Sequence, residues 1–578
     1  MNTEITGVIV TYGITLLLAI PLGRYIAKVF AGEKVWTDFL KPFERLIFKL
    51  SGIDPTEEMS WKGHMKAMLT ISSLWLIYAF FALIFQDKLP LNPDHNPGQT
   101  PDLAFNTAIS FLVNCNLQDY SGETGVTYFT QLFVLMFLHF MSAASAIAAM
   151  MVIYKGLKEK STKTLGNFWN FFVKSITRFL LPGAIVIAII LAFNGTPASY
   201  KGADTVITMQ GDTSHVSRGP AAAMIAIKHL GTNGGGWFGA NSAHPFECPN
   251  YLTYMLEMIA QVVIPIALIF ALGYYLNKKK FAYVIFGVMT IGMLLFLIPT
   301  LQAEIKGNTE IAQMGISATN TAMEGKEVRF GVPATAYWST VTTIISTGSA
   351  NGAHDSYMPM TTATQLMGMM VNCFYGGCGA GFMNYYIFII IAVFISGLMV
   401  GRTPEFMGHK LEAKEMKIAS IAALLHPFLI LSFTALACFV FVSFPDAHWG
   451  VQPKNWLGNP GYHGFSEMLY QYTSSAANNG SAMGGLNVGF SPGSPTNVFW
   501  NVTTGIVLFF SRFIPIIGPV AIAGIMAEKK YIPESAGTLK TDTGTFGLMT
   551  MAVIIIIAAL AFFPSLALGP FAELFGMK

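Results

Sequence analysis

Four short runs of Gly, Asn, Ser and Thr interrupt an otherwise apolar chain: NCNLQ (114–118), TNGGG (232–236), STGSA (346–350) and SAANNGS (475–481). Residues of this kind can cradle a phosphate, act as a loose hinge, or present bare carbonyl oxygens to a cation. A phosphate-binding Walker loop needs Gly-Lys-Ser/Thr after its glycines, whereas Trp237 and Phe238 follow here. Glycine permits the positive φ values that turn carbonyls inward, and its missing Cβ lets an ion approach. Carbonyl oxygens can then replace the water shell of an alkali cation, as in potassium-channel filters. One such turn is as readily a flexible linker. Four equivalent turns favour a shared cation site.

The elements around these turns decide whether they are equivalent. The 578 residues are 53% hydrophobic and only 11% charged, against about 25% charged in an ordinary soluble domain. Such a chain cannot coat a water-facing surface, so it is read as an all-α polytopic membrane protein. A crossing helix needs about 20 mostly apolar residues. Candidates lie near 6–30, 66–86, 127–153, 170–193, 252–276, 281–301, 362–400, 417–443, 499–526 and 546–568. The first is read as an uncleaved span, because its basic residues (Arg24, Lys28, Lys34) follow it, whereas a signal peptide carries them in front. Basic residues gather in alternate loops, at 24–66, 155–163, 278–280, 402–417 and 529–540. Positive loops stay cytoplasmic, which puts both termini outside with ten spans between them.

Between the spans lie segments too short to cross: 102–114, 218–233, 334–348 and 464–480. Apolar runs of this length read as re-entrant helices. Each ends in one of the four turns, which makes the chain four copies of helix, short helix, turn and helix, with an extra span at each end. The expected boundaries are 1–62 for the first span and its loop, and 63–160, 161–278, 279–410 and 411–530 for the repeats. A last span occupies 531–578. The short helices aim their C-terminal ends at the turns, and that end of the helix dipole favours positive charge.

The runs LGTNGGGWFGANSAHPFECP, NCNLQDYSGETG, STGSANGAHDSYMP, YTSSAANNGSAMGGL and GLMVGRTPEFMG resemble the potassium-channel-like A subunits of the bacterial Kdp potassium pump. The resemblance covers almost the whole chain. It implies a fourfold pseudo-symmetric, potassium-channel-like fold with ten transmembrane helices in the bacterial plasma (inner) membrane. It also implies K+ as the bound ion and a P-type ATPase B subunit, a single-span C subunit and often a small F peptide as partners, within membrane lipid and without nucleic acid. On this reading Asn114, Asn116, Thr232, Asn233, Gly234, Thr347, Gly348, Asn478, Asn479 and Gly480 fall on the filter, and Gln118 matches a position tied to potassium affinity. The sequence departs from the family's usual pattern at Thr347, where Cys is common, and at Trp237, where Phe is. Both changes could tune the filter.

Two further features bear on the path below the turns. The run 362–400 is too long for one plain span, and YGGCGAGF (375–382) interrupts it. Glycine clusters break helices, and broken helices at mid-membrane commonly line ion paths. Gly376, Gly377 and Gly379 therefore mark either a packing kink or a gating loop. The resemblance favours the loop, blocking direct exit and diverting ions sideways into the ATPase subunit. Arg512 lies inside an apolar span, where an ionisable residue is a functional hypothesis. It either pairs with a neighbouring helix or sets an electrostatic barrier below the filter, and the resemblance favours the barrier.

Other motifs argue against catalysis. His354, Asp355 and Ser356 are contiguous, whereas a hydrolytic triad is defined by spatial geometry. Asp355, with Glu123 and Glu247, is expected to add negative potential at the outer mouth, the alternative for each being a bond to local backbone. KTDTGTFG (540–547) lacks the Lys that follows the phosphorylated Asp of P-type ATPases. Five cysteines form no zinc-type cluster and are read as small apolar packing residues. The sequence therefore reads as a non-hydrolytic, potassium-selective subunit of an ATP-driven uptake pump. The competing readings are a free-standing potassium channel or symporter of the same superfamily and a membrane enzyme.

Overall fold

A computed structural model describes residues 3–308, 314, 322–399, 401–489, 495–533 and 539–576. Among these residues, ten helices are long and apolar enough to cross a membrane. They run Glu4–Ala31, Trp61–Ile84, Thr130–Lys158, Phe168–Phe193, Tyr251–Tyr275, Lys279–Lys306, Ala380–Met399, Ala413–Ser443, Val498–Ala527 and Gly544–Leu568. Several begin or end beyond the apolar run, because polar caps extend them. Ser60 accepts from the Gly63 amide, and Asn250 from those of Leu252 and Thr253, satisfying donors that a helix start leaves open. Thr543, in the ATPase-like decoy, caps the last span by accepting from Phe546 N.

The expected span 362–400 divides in two. A helix Pro359–Val371 ends at Asn372 in the left-handed region, and a second helix starts at Ala380. Val400 lies outside the described residues. The break occupies 372–379, slightly earlier than the glycine run suggested, because Asn372 and Tyr375 also adopt positive φ. Two short antiparallel pairings, Asp204–Ile207 with Thr213–Val216 and Glu405–Phe406 with His409–Lys410, are the strand pairs among the described residues. They leave the all-helical architecture unchanged.

The four short helices are Pro101–Leu112, Ala221–Leu230, Val332–Ile344 and Tyr462–Ala476. Nearly every side chain on them is buried. Each packs between its own flanking helices and also touches the helix that closes the preceding repeat. Pro101–Leu112 meets Val498–Ala527, and Ala221–Leu230 meets Met136–Lys158. Val332–Ile344 meets Tyr251–Tyr275, and Tyr462–Ala476 meets Pro359–Val371. The last contact partner of the chain thus returns to the first, which closes a ring. Large apolar residues point outward from the long helices instead, Leu17 and Leu560 at 73% and 79% exposure, as a lipid-facing surface requires.

Candidate functional site: a ring of carbonyl oxygens

Each short helix ends in the same backbone device. One residue enters the left-handed region: Asn114 (φ 67°), Thr232 (51°), Ser346 (56°) and Asn478 (51°). The amide of the next residue then reaches back five positions. Cys115 N donates to Ser110 O at 3.1 Å, Asn233 N to Lys228 O at 2.8 Å, Thr347 N to Thr342 O at 2.9 Å, and Asn479 N to Ser474 O at 2.8 Å. This is the Schellman pattern that ends many helices, here without the usual glycine. A non-glycine residue in this region costs about 1–2 kcal/mol, and Asn tolerates it best. The chain accepts that cost four times, at equivalent places.

The cap commits the amides of Cys115, Asn233, Thr347 and Asn479 to their helices. The carbonyls of three of them meet at the second turn. A Cβ built on Gly234 would lie against Cys115 O, Asn479 O and Thr347 O, the latter two at 2.9 Å. A Cβ on Gly348 would strike Asn479 O, and one on Gly480 would strike Cys115 O. The four turns therefore converge on one point from four directions, and only glycine allows the approach at Gly234. Asn116 Oδ1 and Thr347 Oγ1 are buried there without hydrogen-bond partners among the described residues. A concentration of oxygens with few donors, at the negative ends of four helices, suits a cation and repels an anion.

Side chains of the first, second and fourth turns brace the ring. Asn114 Nδ2 donates to Thr232 O at 2.7 Å, and Asn116 Nδ2 to Gly234 O at 3.1 Å. Ser142 Oγ donates to Asn114 Oδ1 at 2.8 Å, and Asn233 Nδ2 to His139 O at 3.3 Å. Gln118 Oε1 accepts from Gly236 N at 2.7 Å, which joins the first turn to the second. Asn479 Nδ2 donates to Thr342 O at 2.7 Å, and Asn478 Nδ2 to Ser511 Oγ at 3.0 Å.

The helix break lies against the same turns. Cys378 N donates to Thr232 Oγ1 at 2.9 Å. Ser346 Oγ donates to Asn372 Oδ1 at 3.0 Å, and Asn372 Nδ2 to Ala477 O at 3.3 Å. Gly376, Gly377 and Gly379 all have positive φ, and a Cβ on Gly377 would sit 3.3 Å from both Ile345 O and Thr232 Oγ1. A cavity of about 80 Å³ follows, lined by Asn114, Ser346, Asn478, the break and Arg512. Arg512 is 8% exposed and donates to Ser142 O at 3.3 Å. Among the described residues no carboxylate pairs with it, so a salt bridge to a neighbouring helix is not formed there, and its contact with the helix Thr130–Lys158 is a hydrogen bond to a carbonyl.

The structure brings all the expected residues of the turns together and adds two. Cys115, whose type alone reads as a packing residue, carries a ring carbonyl, and Ser346 is the left-handed residue of the third turn. The outer acids fare differently. Glu247 is fully buried in an ion pair with Lys228. Glu123 accepts from Gly239 N at 2.6 Å, and Asp355 pairs with His463 at 3.2 Å. Asp355 and Glu247 therefore carry compensated charge, contrary to expectation.

Residues 9–575 match the model of the KdpA family, described as the potassium-transporting ATPase A subunit. The chain belongs to this family. It is 62% identical over 582 residues to the potassium-transporting ATPase potassium-binding subunit of Flavobacterium johnsoniae, covering all of both chains. Subunits with the same description from Bacteroides thetaiotaomicron and Alicyclobacillus acidocaldarius are 56% and 46% identical. These alignments cover 99% of both chains for the first, and 98% of this chain and 99% of that one for the second. The crystal structure of the potassium transporter TrkH from Vibrio parahaemolyticus superposes with a TM-score of 0.51 over 89% of this chain and 98% of that one. At 12% identity that likeness speaks for the KdpA-family fold alone.

Proposed function

We propose that this chain is the potassium-selecting, non-hydrolytic subunit of an ATP-driven uptake pump. The observation that carries the reading is the convergence of the Cys115, Thr347 and Asn479 carbonyls on Gly234. A potassium ion arriving from the extracytoplasmic side exchanges its hydration water for these oxygens and those of the second turn. Asn114, Asn116, Gln118, Thr232, Asn233, Gly234, Thr347, Gly348, Asn478, Asn479 and Gly480 form the filter in this reading, with Cys115 and Ser346 added. Glycine at 234 and 480 keeps the ring open, and the side-chain amides hold its radius.

The break at 372–379 then closes the way straight down, with Gly376, Gly377 and Gly379 making its turns. Arg512, with no carboxylate partner among the described residues, raises the energy of a cation lingering in the cavity below. Ions leave sideways toward a P-type ATPase B subunit, which spends the ATP. A single-span C subunit and a small F peptide complete the complex in the bacterial plasma membrane. Relatives described as subunits of a potassium-transporting ATPase support this assignment.

The deciding experiment isolates the complex gently from native membranes with this chain as bait. Vanadate-sensitive ATP hydrolysis stimulated by potassium is the expected result. An intact chain that passes potassium in liposomes with no ATPase beside it would identify a free-standing channel instead.

A further inference from the structure

Away from the carbonyl ring, on the outer side of the fourth turn, four ionisable side chains from three elements meet. His463 and Glu467 share one face of the helix Tyr462–Ala476, four residues apart. Asp355 comes from the loop after the third turn, and Glu573 from the terminal helix Pro570–Gly576. We propose that Asp355, His463 and Glu467 form a binding site for a divalent first-row metal ion of the zinc class.

Five observations carry this. One ligand atom from each of the three residues lies within 4.8 Å of the others. His463 Nδ1 faces Glu573 Oε1 at 2.9 Å, while Nε2 faces Asp355 Oδ1 at 3.2 Å. Both nitrogens thus donate in the ion-paired ring, and once Nε2 exchanges its proton for a metal, Glu573 would keep the other proton on Nδ1, as a carboxylate behind a metal-ligating histidine does. Glu467 is fully buried, yet its Oε2 has no partner among the described residues. Asn459 Nδ2 draws the two carboxylates together, at 2.9 Å from Glu467 Oε1 and 3.3 Å from Asp355 Oδ2. Gly485 leaves the remaining space: its Cβ would meet Glu467, Asn459 and Asp355 at once.

Two carboxylates and one imidazole nitrogen are a borderline donor set, suited to zinc or manganese more than to calcium or magnesium. Between two carboxylates the ring is an imidazolium, so metal binding must release its Nε2 proton to solvent, while Nδ1–H stays directed at Glu573. Three protein ligands leave a fourth position for water. His463 and Asp355 are 18% and 20% exposed, which gives the ion entry from outside. The bound metal would staple the fourth short helix to the third outer loop and, through Glu573, to the terminal helix.

The test uses the purified full-length complex, stripped with chelator and titrated with Zn2+ alone by calorimetry. One saturable equivalent is expected for the wild type. It should be lost in Glu467→Gln and in His463→Ala, and Glu573→Gln should keep it with affinity weakened about 10–100-fold. Co2+ should give visible bands in the wild type that Glu467→Gln abolishes. Absence of a saturable equivalent in the wild type overturns the site without reference to any variant. So does undiminished binding in the near-isosteric Glu467→Gln. Neither outcome touches the potassium reading, which rests on residues outside this cluster.

Discussion

Thr232 Oγ1 accepts the backbone N–H of Cys378 at 2.9 Å, which ties the strained opening residue of the second turn to the helix break. Ring and break are thus one hydrogen-bonded unit. Thr232→Val keeps the shape and removes the acceptor, leaving the Cys378 amide buried and unpaired at about 1–3 kcal/mol. Hydrogen exchange at 377–379 should accelerate in the variant, and Thr232→Ser should restore protection. Equal protection in all three chains would show the contact to be incidental.

Gly234→Ala places a methyl group among the Cys115, Thr347 and Asn479 carbonyls. The ring must widen, and dehydrated potassium loses its fit. Apparent potassium affinity should fall at least about tenfold, or 1.4 kcal/mol, with discrimination against sodium reduced. Ion-stimulated ATP hydrolysis measured in potassium and in sodium reads both effects.

Arg512→Gln should be tolerated by the fold. Breaking a buried ion pair costs about 3–5 kcal/mol, but Arg512 has no carboxylate partner among the described residues. Thermal stability should change little, while potassium-stimulated turnover drops because ions dwell in the cavity. A large loss of stability with normal turnover per folded complex would mark Arg512 as structural.

Asp119 is buried one residue beyond Gln118, and burial, then the charge of Asp102, raises its pKa from 3.8 to about 7. The folded chain therefore binds this proton more tightly than the unfolded chain between those values. Stability attributable to Asp119 must fall as pH rises through that window and then level off. The difference in thermal midpoint between Asp119→Asn and the wild type should favour the variant at pH 8 and shrink toward pH 4. A difference independent of pH would contradict the assignment.

The spans were legible because apolar length is a strong signal, and the short helices because they fall between spans at a regular place. The 372–379 break was legible as a glycine run but misplaced, since Asn372 and Tyr375 take left-handed conformations that composition does not mark. Gly234 was legible because glycine advertises a close approach. Cys115 was not, because it contributes a carbonyl, which leaves no trace in residue type, and Ser346 was not, because its part is a left-handed backbone conformation. The charges at Glu247 and Asp355 misled for the opposite reason. Their types were plain, but their partners, Lys228 and His463, are fixed by tertiary packing.

Because the ring is closed within a single polypeptide, a mutation alters one quadrant and leaves three untouched. In a homotetrameric pore the same codon change would strike all four sides together. That difference explains how one side can carry a lone guanidinium, another a severed helix and a third a buried lysine–glutamate pair. Each quadrant has been free to specialise, held to its siblings by a shared backbone cap and by the side-chain amides that brace the ring.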